Sequence, residues 1–418
     1  MSNSLEILKK AIFNEEDPAN ICDLIIICAV EINASDIHLE PEETRIRLRY
    51  RVDGLLREIL EYPLINHPQI VARYKILGNL KMDETRKPQD GRISHSVGDK
   101  MFDLRISTLP TVHGEKVVMR IVDKTKKVQD LKDLWLEWRN KDVLHKAISQ
   151  PNGIILNSGP TGSGKSTTLY SILKELNTVD VNIMTFEDPV EIVVDGINQS
   201  QVFPDIGYTF ASGLRTALRQ DPDIIMVWEI RDSETADIAL EAALTGHLVL
   251  STIHTNSAAE TVTRLINLGI KTFLLPATIN AIISQRLVRR INQEKAIKVP
   301  FSELNEDMQE RIKKILSVIP KDEIQSRLSQ AMMANPSFYI PDLSKVSHPD
   351  DAYQGRIAIY EVMEITNGIK EMIMQGATST EIFSAAVKDG MISMEQDGLI
   401  RALQGITSLE EIYSVVRT

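Results

Sequence analysis

Nine consecutive residues carry the clearest chemistry in this chain: Gly159-Pro160-Thr161-Gly162-Ser163-Gly164-Lys165-Ser166-Thr167. Glycines at this spacing let successive backbone N–H groups turn inward, and a helix N-terminus that follows adds its dipole to them. Lys165 then supplies a point charge to β/γ-phosphates and Ser166 a hydroxyl to Mg²⁺. An apolar strand, Ile154-Ile155-Leu156, precedes the loop and a helix-forming segment follows it. That is the context the motif requires, so the stretch reads as a P-loop that holds a nucleoside triphosphate.

Three further polar residues close apolar strands downstream. Residues 182–186 run into Glu187-Asp188-Pro189, residues 224–227 into Glu229, and residues 248–252 into His254. In an open parallel sheet the C-terminal strand ends line the ligand-binding edge, which predicts that these side chains meet at the phosphates held by Lys165. Hydrolysis needs one carboxylate to position or deprotonate water and another on the metal side. Glu187 and Glu229 both qualify, and the residues alone leave the two roles exchangeable. His254 reads as a phosphate sensor in preference to a satisfied core histidine, whereas His247 is left between the two.

The elements that must position these groups follow from periodicity. Residues 1–124 combine short leading helices with strands that alternate apolar and polar residues, an α+β domain with an antiparallel sheet. Within it, residues 64–80 read as a helix and residues 81–92 as a charged loop. A Lys-rich stretch, 125–132, reads as a linker. From 133 to 290 strands and helices alternate, as in a parallel α/β domain, and 291–418 reads as a mainly helical carboxy-terminal part with a loop at 335–350 and a strand-like segment at 355–364. Arg286, Arg289 and Arg290 form a short basic cluster, either facing a neighbouring subunit or lying on a solvated helix face.

Composition narrows the function classes. At 418 residues the chain exceeds one ordinary core, and its net charge of −11 argues against a surface that tracks nucleic acid. Cys22 and Cys28 lie in or beside a seven-residue apolar run, with no disulfide or zinc spacing, and read as core residues of a reducing cytoplasm. That run is far short of the ~20 apolar residues of a membrane span. A soluble, cytoplasmic chain is expected.

Together these motifs resemble the secretion ATPases that power type II secretion and type IV pilus assembly. The likeness runs from about residue 33 to the C-terminus. It rests on Ser35-Asp36-Ile37-His38-Leu39-Glu40-Pro41, Arg49-Tyr50-Arg51-Val52-Asp53-Gly54 and Pro88-Gln89-Asp90-Gly91-Arg92-Ile93 in the first domain, with arginine-bearing segments around Arg105 and Arg120. Beyond the P-loop, Glu187-Asp188-Pro189-Val190-Glu191 resembles the family's aspartate box, residues 224–232 its Walker B region and residues 246–256 its histidine box. The resemblance implies a RecA-like P-loop motor domain preceded by an α+β, PAS-like sheet domain, in a homo-hexameric ring. It implies ATP bound between the two domains by Gly159 to Thr167, Mg²⁺ held on the side of Ser166 and Glu229, Glu187 as the base, and His254, Arg92, Arg105 and Arg120 as further catalytic groups. It also implies a motor on the inner face of the cell membrane that works on an inner-membrane platform protein, without nucleic acid. Pilus retraction, DNA uptake or conjugation is the alternative within the class, and a non-hydrolysing, ATP-gated ring subunit the alternative outside it.

Two departures stand out. The sheet domain begins almost at once, where assembly members carry a further amino-terminal domain, and residues 291–353 lack the family's four-cysteine loop, so no zinc is expected. Trp228 also stands where the Walker B pattern has glycine, and Trp135 and Trp138 fall where glycine is usual. A ring at 228 would overpack a buried strand. The sequence therefore raises two accounts of the three tryptophans: compensated packing, with Trp135 and Trp138 stapled at helical spacing, or codons that the source cell reads as glycine.

Overall fold

Alternation works as predicted in the amino-terminal part: Ile37 and Leu39, and then Ile46, Leu48 and Tyr50, are fully buried, while the arginines between them are not. The computed structural model describes residues 3–14, 17–123 and 125–416, and the chain divides into two units, Met1–Lys127 and Val128–Thr418. In the first unit, helices α1 (Asn3–Phe13) and α2 (Pro18–Glu31) precede strands β1 (Asp36–Pro41), β2 (Arg45–Val52) and β3 (Leu55–Pro63). Helix α3 (His67–Leu77) follows, then β4 (Gln89–Val97), β5 (Lys100–Thr111) and β6 (Gly114–Asp123). The strands form one antiparallel sheet in the order β3-β2-β1-β6-β5-β4. Its apolar face packs on α2 and α3, where Tyr50 donates to Ile25 O at 2.7 Å and Tyr74 to Cys22 O at 3.1 Å. Cys22 and Cys28 are free and buried in that core.

Residues 89–92, expected in a charged loop, belong to β4 instead. Only Ile93 of that strand is buried, so the segment shows no apolar period, and its pairing with β5 is what makes it a strand.

In the second unit, α4 (Trp138–Ile148) leads to β7 (Gly153–Ser158), α5 (Lys165–Leu176), β8 (Ile183–Glu187) and β9 (Asn198–Gln201). Helix α6 (Phe210–Ala217), β10 (Ile224–Val227), α7 (Ser233–Leu244), β11 (Leu248–Ile253), α8 (Ala258–Asn267) and β12 (Ile279–Ile291) continue the alternation. Strands β7, β10 and β11 are buried throughout, as strands covered on both faces must be. The sheet order is β15-β12-β7-β11-β10-β8-β9, in which β15 (Tyr353–Glu364) is antiparallel to β12 and the other pairs are parallel. Among the described residues the carboxy-terminal part combines seven α-helices with the strand expected at 355–364, and that strand forms an edge of the main sheet. Strands β13 (Ala296–Pro300) and β14 (Ser337–Pro341) form a further antiparallel pair, so a strand occupies part of the expected loop at 335–350. Residues 125–132, read as a linker, straddle the division between the units, and Leu131 is buried in the second.

The arginine cluster sits on strand β12, not on a helix. Arg286 is buried and donates to Asn256 O and Oδ1 at 3.2 Å, and Arg289 pairs with Asp350 and Glu411 at 2.6 Å each. Neither is a solvated charge. Arg290 alone of the three is exposed.

The deepest ion pairs of this unit centre on Asp397, in the helix Met394–Leu403. Its carboxylate accepts from Arg327 at 2.6 Å, from Arg401 at 3.2 Å and from the Tyr360 backbone N–H at 2.9 Å, and all three ionic side chains are buried. Removing the Asp397 carboxylate leaves two buried guanidiniums with only longer ion pairs, to Glu137 at 3.7 and 3.9 Å and to Glu323 at 3.8 Å, and the Trp135 carbonyl beside Arg401. Asp397→Ala should therefore lower unfolding stability by about 3–5 kcal/mol. Urea denaturation with a parental midpoint would refute this.

Candidate active site

The P-loop leaves the end of β7 and closes on the first turn of α5. Gly159, Gly162 and Gly164 have φ of 147°, 79° and 92°, a region open mainly to glycine. At two of them space matters as well. A Cβ on Gly159 would lie 2.7 Å from Gln285 O, and one on Gly164 would lie 2.9 Å from Gln285 Nε2, because β12 runs close behind the loop. No side chain caps the start of α5, and Ser163 Oγ is buried without a hydrogen-bond partner among the described residues. An uncapped helix N-terminus fits an anion.

Lys165 donates to Gly159 O at 2.7 Å and Pro160 O at 3.1 Å. Burial pulls its ammonium down to about 8, with Glu229 opposing that shift and Arg286 adding to it. Ser166 is half-buried and Thr167 exposed on the same turn. Pro160 and Thr161 line an open cleft of about 550 Å³ together with His254, Asn256 and Glu260.

Glu229, two residues beyond β10, is nearly buried. It accepts from Arg231 Nε at 2.8 Å, and His254 Nε2 lies 3.1 Å from its other oxygen. Lys165, Glu229 and His254 therefore share one edge of the sheet. Glu187, at the end of β8, is wholly buried in a different cage: it accepts from Thr185 Oγ1 at 2.6 Å, from Gln199 Nε2 at 3.0 Å and from the Tyr170 hydroxyl. Burial raises its carboxyl above the ordinary range, and the three hydrogen bonds work against that rise. None of its partners belongs to the P-loop, although Tyr170 rides on α5, the helix that the loop begins. His247 lies before β11, at the opposite end from His254, with Nδ1 2.9 Å from Ala242 O at the C-terminal end of α7.

Arg92, Arg105 and Arg120 lie in the first unit, on β4, β5 and β6. The register pairs Arg92 with Arg105, Arg105 with Arg120, Arg120 with Asp36, and Asp36 with Arg51. Direct cross-strand neighbours share a face, so the four arginines and Asp36 form one row across the sheet. Asp36 accepts from Arg120 Nε at 3.1 Å. Among the described residues, Arg92 and Arg105 have no ion-pair partner.

Trp228 follows β10 and is half-buried, its backbone N–H donating to Phe186 O at 2.9 Å and its ring 6.3 Å from that of Tyr170. The ring stands beyond the strand, so it does not overpack it.

Sequence reasoning missed the polar residues that hold this site from behind: Gln285, Asn157, Tyr170, Thr185, Gln199 and Arg231. Gln285 and Asn157 did leave a trace, as amides within otherwise apolar strands. Among the described residues no group of three or more His, Cys, Asp or Glu side chains could hold a metal by itself, and no helix is long and apolar enough to cross a membrane.

Comparison with known proteins gives the same direction. The family described as type II/IV secretion system protein matches residues 15–414. The type IV pilus assembly ATPase PilB of Myxococcus xanthus is 43% identical over 422 residues, covering 99% of this chain and 72% of its own length. Type II secretion system protein E of Xanthomonas campestris is 44% identical over 404 residues, 96% of this chain and 68% of its own. Among solved structures, the pilus retraction motor PilT with bound ADP is 25% identical with a TM-score of 0.59, covering 94% of this chain and 95% of its own. The Legionella pneumophila ATPase DotB shares the fold, with a TM-score of 0.66, 24% identity and coverage of 94% of this chain and 95% of its own. A P-loop on a parallel sheet, a carboxylate and a histidine at the same edge, and a family match over nearly the whole length lead to one conclusion: the chain belongs to the type II/IV secretion system protein family of secretion ATPases.

Proposed function

We propose that the chain is the ATP-hydrolysing subunit of a homo-hexameric motor that drives assembly of a type IV pilus or type II pseudopilus, on the inner face of the cell membrane and against a platform protein. The observation that carries the hydrolytic part of this reading is the joint placement of Lys165, Glu229 and His254 at one sheet edge. Identity to assembly and secretion ATPases of 43–44%, against 25% to a retraction motor, favours assembly over retraction.

In this reading the residues Gly159 to Thr167 bind ATP, the loop N–H groups and Lys165 taking its phosphates. Ser166 and Glu229 are the side chains that would hold Mg²⁺, which would supply positive charge to the triphosphate. Glu229 keeps His254 beside the loop, so a histidine sits within reach of the terminal phosphate. Glu187 is the base. A carboxyl whose proton affinity is raised by burial is better matched to taking a proton from water near neutral pH than a solvated one, and Tyr170, Thr185 and Gln199 hold it in a single orientation. Arg92, Arg105 and Arg120 supply positive charge to the transferred phosphoryl group, for which guanidinium suits better than ammonium.

Glu187→Gln keeps the size of the side chain and can still accept from Thr185 and Gln199 through its oxygen, with its NH₂ donating to the Tyr170 hydroxyl oxygen, but it cannot take a proton. It should bind ATP with parental affinity, turn it over about a hundredfold more slowly or worse, and extend no filament in cells that lack the parental chain. Parental filaments in such cells would overturn the assignment. The pH dependence follows from Lys165. Its ammonium loses its charge as pH rises through about 8. A triphosphate binds the charged form, so the competent fraction falls and affinity for ATP should drop about tenfold from pH 7 to pH 9. Calorimetric titration giving a flat affinity over that range contradicts the role of this charge.

A further inference from the structure

We infer that Gln285 is the positioning residue that sets the shape of the P-loop. This rests on the loop being the phosphate site. The side chain is 1% exposed, on β12 beside β7. Its Nε2 donates to Ser163 O at 2.7 Å, and its Oε1 accepts from Asn157 Nδ2 at 2.9 Å and from Thr168 Oγ1 at 2.8 Å. One amide thereby ties the loop to the strand that enters it and the helix that leaves it.

The chemistry selects glutamine. A loop that aims its N–H groups at phosphate turns carbonyls outward, and Ser163 O is one of these, on the side of β12. A carbonyl only accepts, so the group facing it must donate, while Asn157 and Thr168 both offer donors and need an acceptor. An amide does both without charge. An ionised glutamate would set an anion against Ser163 O, beside a site built for anions, and an apolar residue would deprive Ser163 O of its donor and Thr168 Oγ1 of its acceptor, leaving Asn157 with Lys165 O at 3.3 Å. The same strand also limits the loop sterically, since a Cβ at Gly159 would lie 2.7 Å from the Gln285 carbonyl oxygen. Gln285 therefore acts on nucleotide through the loop, not by touching it.

Gln285→Met removes every one of these bonds at similar length. It should weaken affinity for ADP and ATP alike by about tenfold or more, the scale of a lost buried hydrogen bond. Turnover at saturating ATP should change by less than about threefold, because the catalytic groups are intact. Thr168→Val, a near-isosteric change that removes one donor, should weaken affinity by about threefold and serves if the first variant does not fold. Parental nucleotide affinity in folded Gln285→Met, or in Thr168→Val where that variant alone folds, overturns the inference, as does an equal loss in affinity and turnover. Lys165→Ala in the same assay separates the two levels: if it too keeps parental affinity, the phosphate site itself is wrongly placed.

The backbone points independently to a second inference, about identity rather than chemistry: positions 135 and 138 carry glycine in the native protein. Six non-glycine residues have positive φ among the described residues, and four of them, Asn33, Asp53, Asn79 and Asp221, are the types that tolerate it. The other two are Trp135 at 62° and Trp138 at 49°. For a bulky residue that conformation is an outlier, which at Trp135 persists beside ring contacts to Arg290 and Arg401. Nor do they share a helix: Trp135 ends the short turn Leu131–Leu134 and Trp138 begins α4, where it is 42% exposed, so helical stapling does not explain them. Trp228 is not among the positive-φ residues, and its ring is accommodated, so nothing in the backbone asks for glycine there. Mass spectrometry of peptides spanning both positions, from protein isolated from the source cells, should find glycine. Tryptophan at either position overturns the inference.

Discussion

A loop that points its N–H groups at a ligand cannot use them to hold itself in place. Secondary structure satisfies backbone donors and acceptors in pairs, but a P-loop keeps its donors for phosphate, so its carbonyls need other partners and its path needs other walls. Here the wall is β12, whose backbone leaves no room for a Cβ at Gly159, and the partners include the Gln285 amide and the Lys165 ammonium. Much of the second unit is arranged to bring that one strand behind the loop. Strand β12 is thirteen residues long, pairs with β7 on one side and with β15 on the other, and is braced further along by Arg289 with Asp350 and Glu411.

The same need for preorganisation appears in the charges. Lys165 is kept partly desolvated, which costs free energy in the resting chain and makes the ammonium a stronger attractor for phosphate than it would be in water. Glu229 offsets part of that cost and is in turn held by Arg231 and His254. Glu187 stands apart from this chain of charges. Neutral donors surround it, so its carboxyl is tuned by burial and not by a cation. Two carboxylates at the ends of neighbouring strands β8 and β10 thus differ in electrostatic setting, a difference that strand ends alone do not encode.

Motifs tied to local backbone geometry were legible in the sequence: the P-loop, the strand ends carrying Glu187, Glu229 and His254, and the hairpins of the first sheet. What escaped depends on contacts distant in the chain. Gln285 meets Ser163 and Asn157 from more than a hundred residues away, and nothing local marks an amide in an apolar strand as a support for another loop. Strand β4 escaped because its outward residues are polar and only Ile93 faces the core, so its hydrogen bonds to β5 define it. The arginines of β12 misled for the opposite reason. Three basic residues within five positions read as a surface, yet Arg286 and Arg289 are drawn inward by Asn256, Asp350 and Glu411, all remote in sequence.

The arginines of the first sheet show how a β-sheet can hold cations that a helix could not. On a helix, repeated arginines splay and each finds its own rotamer. In an antiparallel register, side chains directly opposite are about 4.5–5.5 Å apart, so Arg92, Arg105, Arg120 and Arg51 are forced into one line. Like charges at that spacing repel, and the row is tolerable only if something negative enters it. Asp36 does so at one place, between Arg120 and Arg51, where it is nearly buried and bonded to Arg120. The other end, Arg105 and Arg92, has no acid in the row. That asymmetry leaves a standing electrostatic demand for an anion at one end of the sheet, and in a chain of net charge −11 it is a local feature that overall composition conceals.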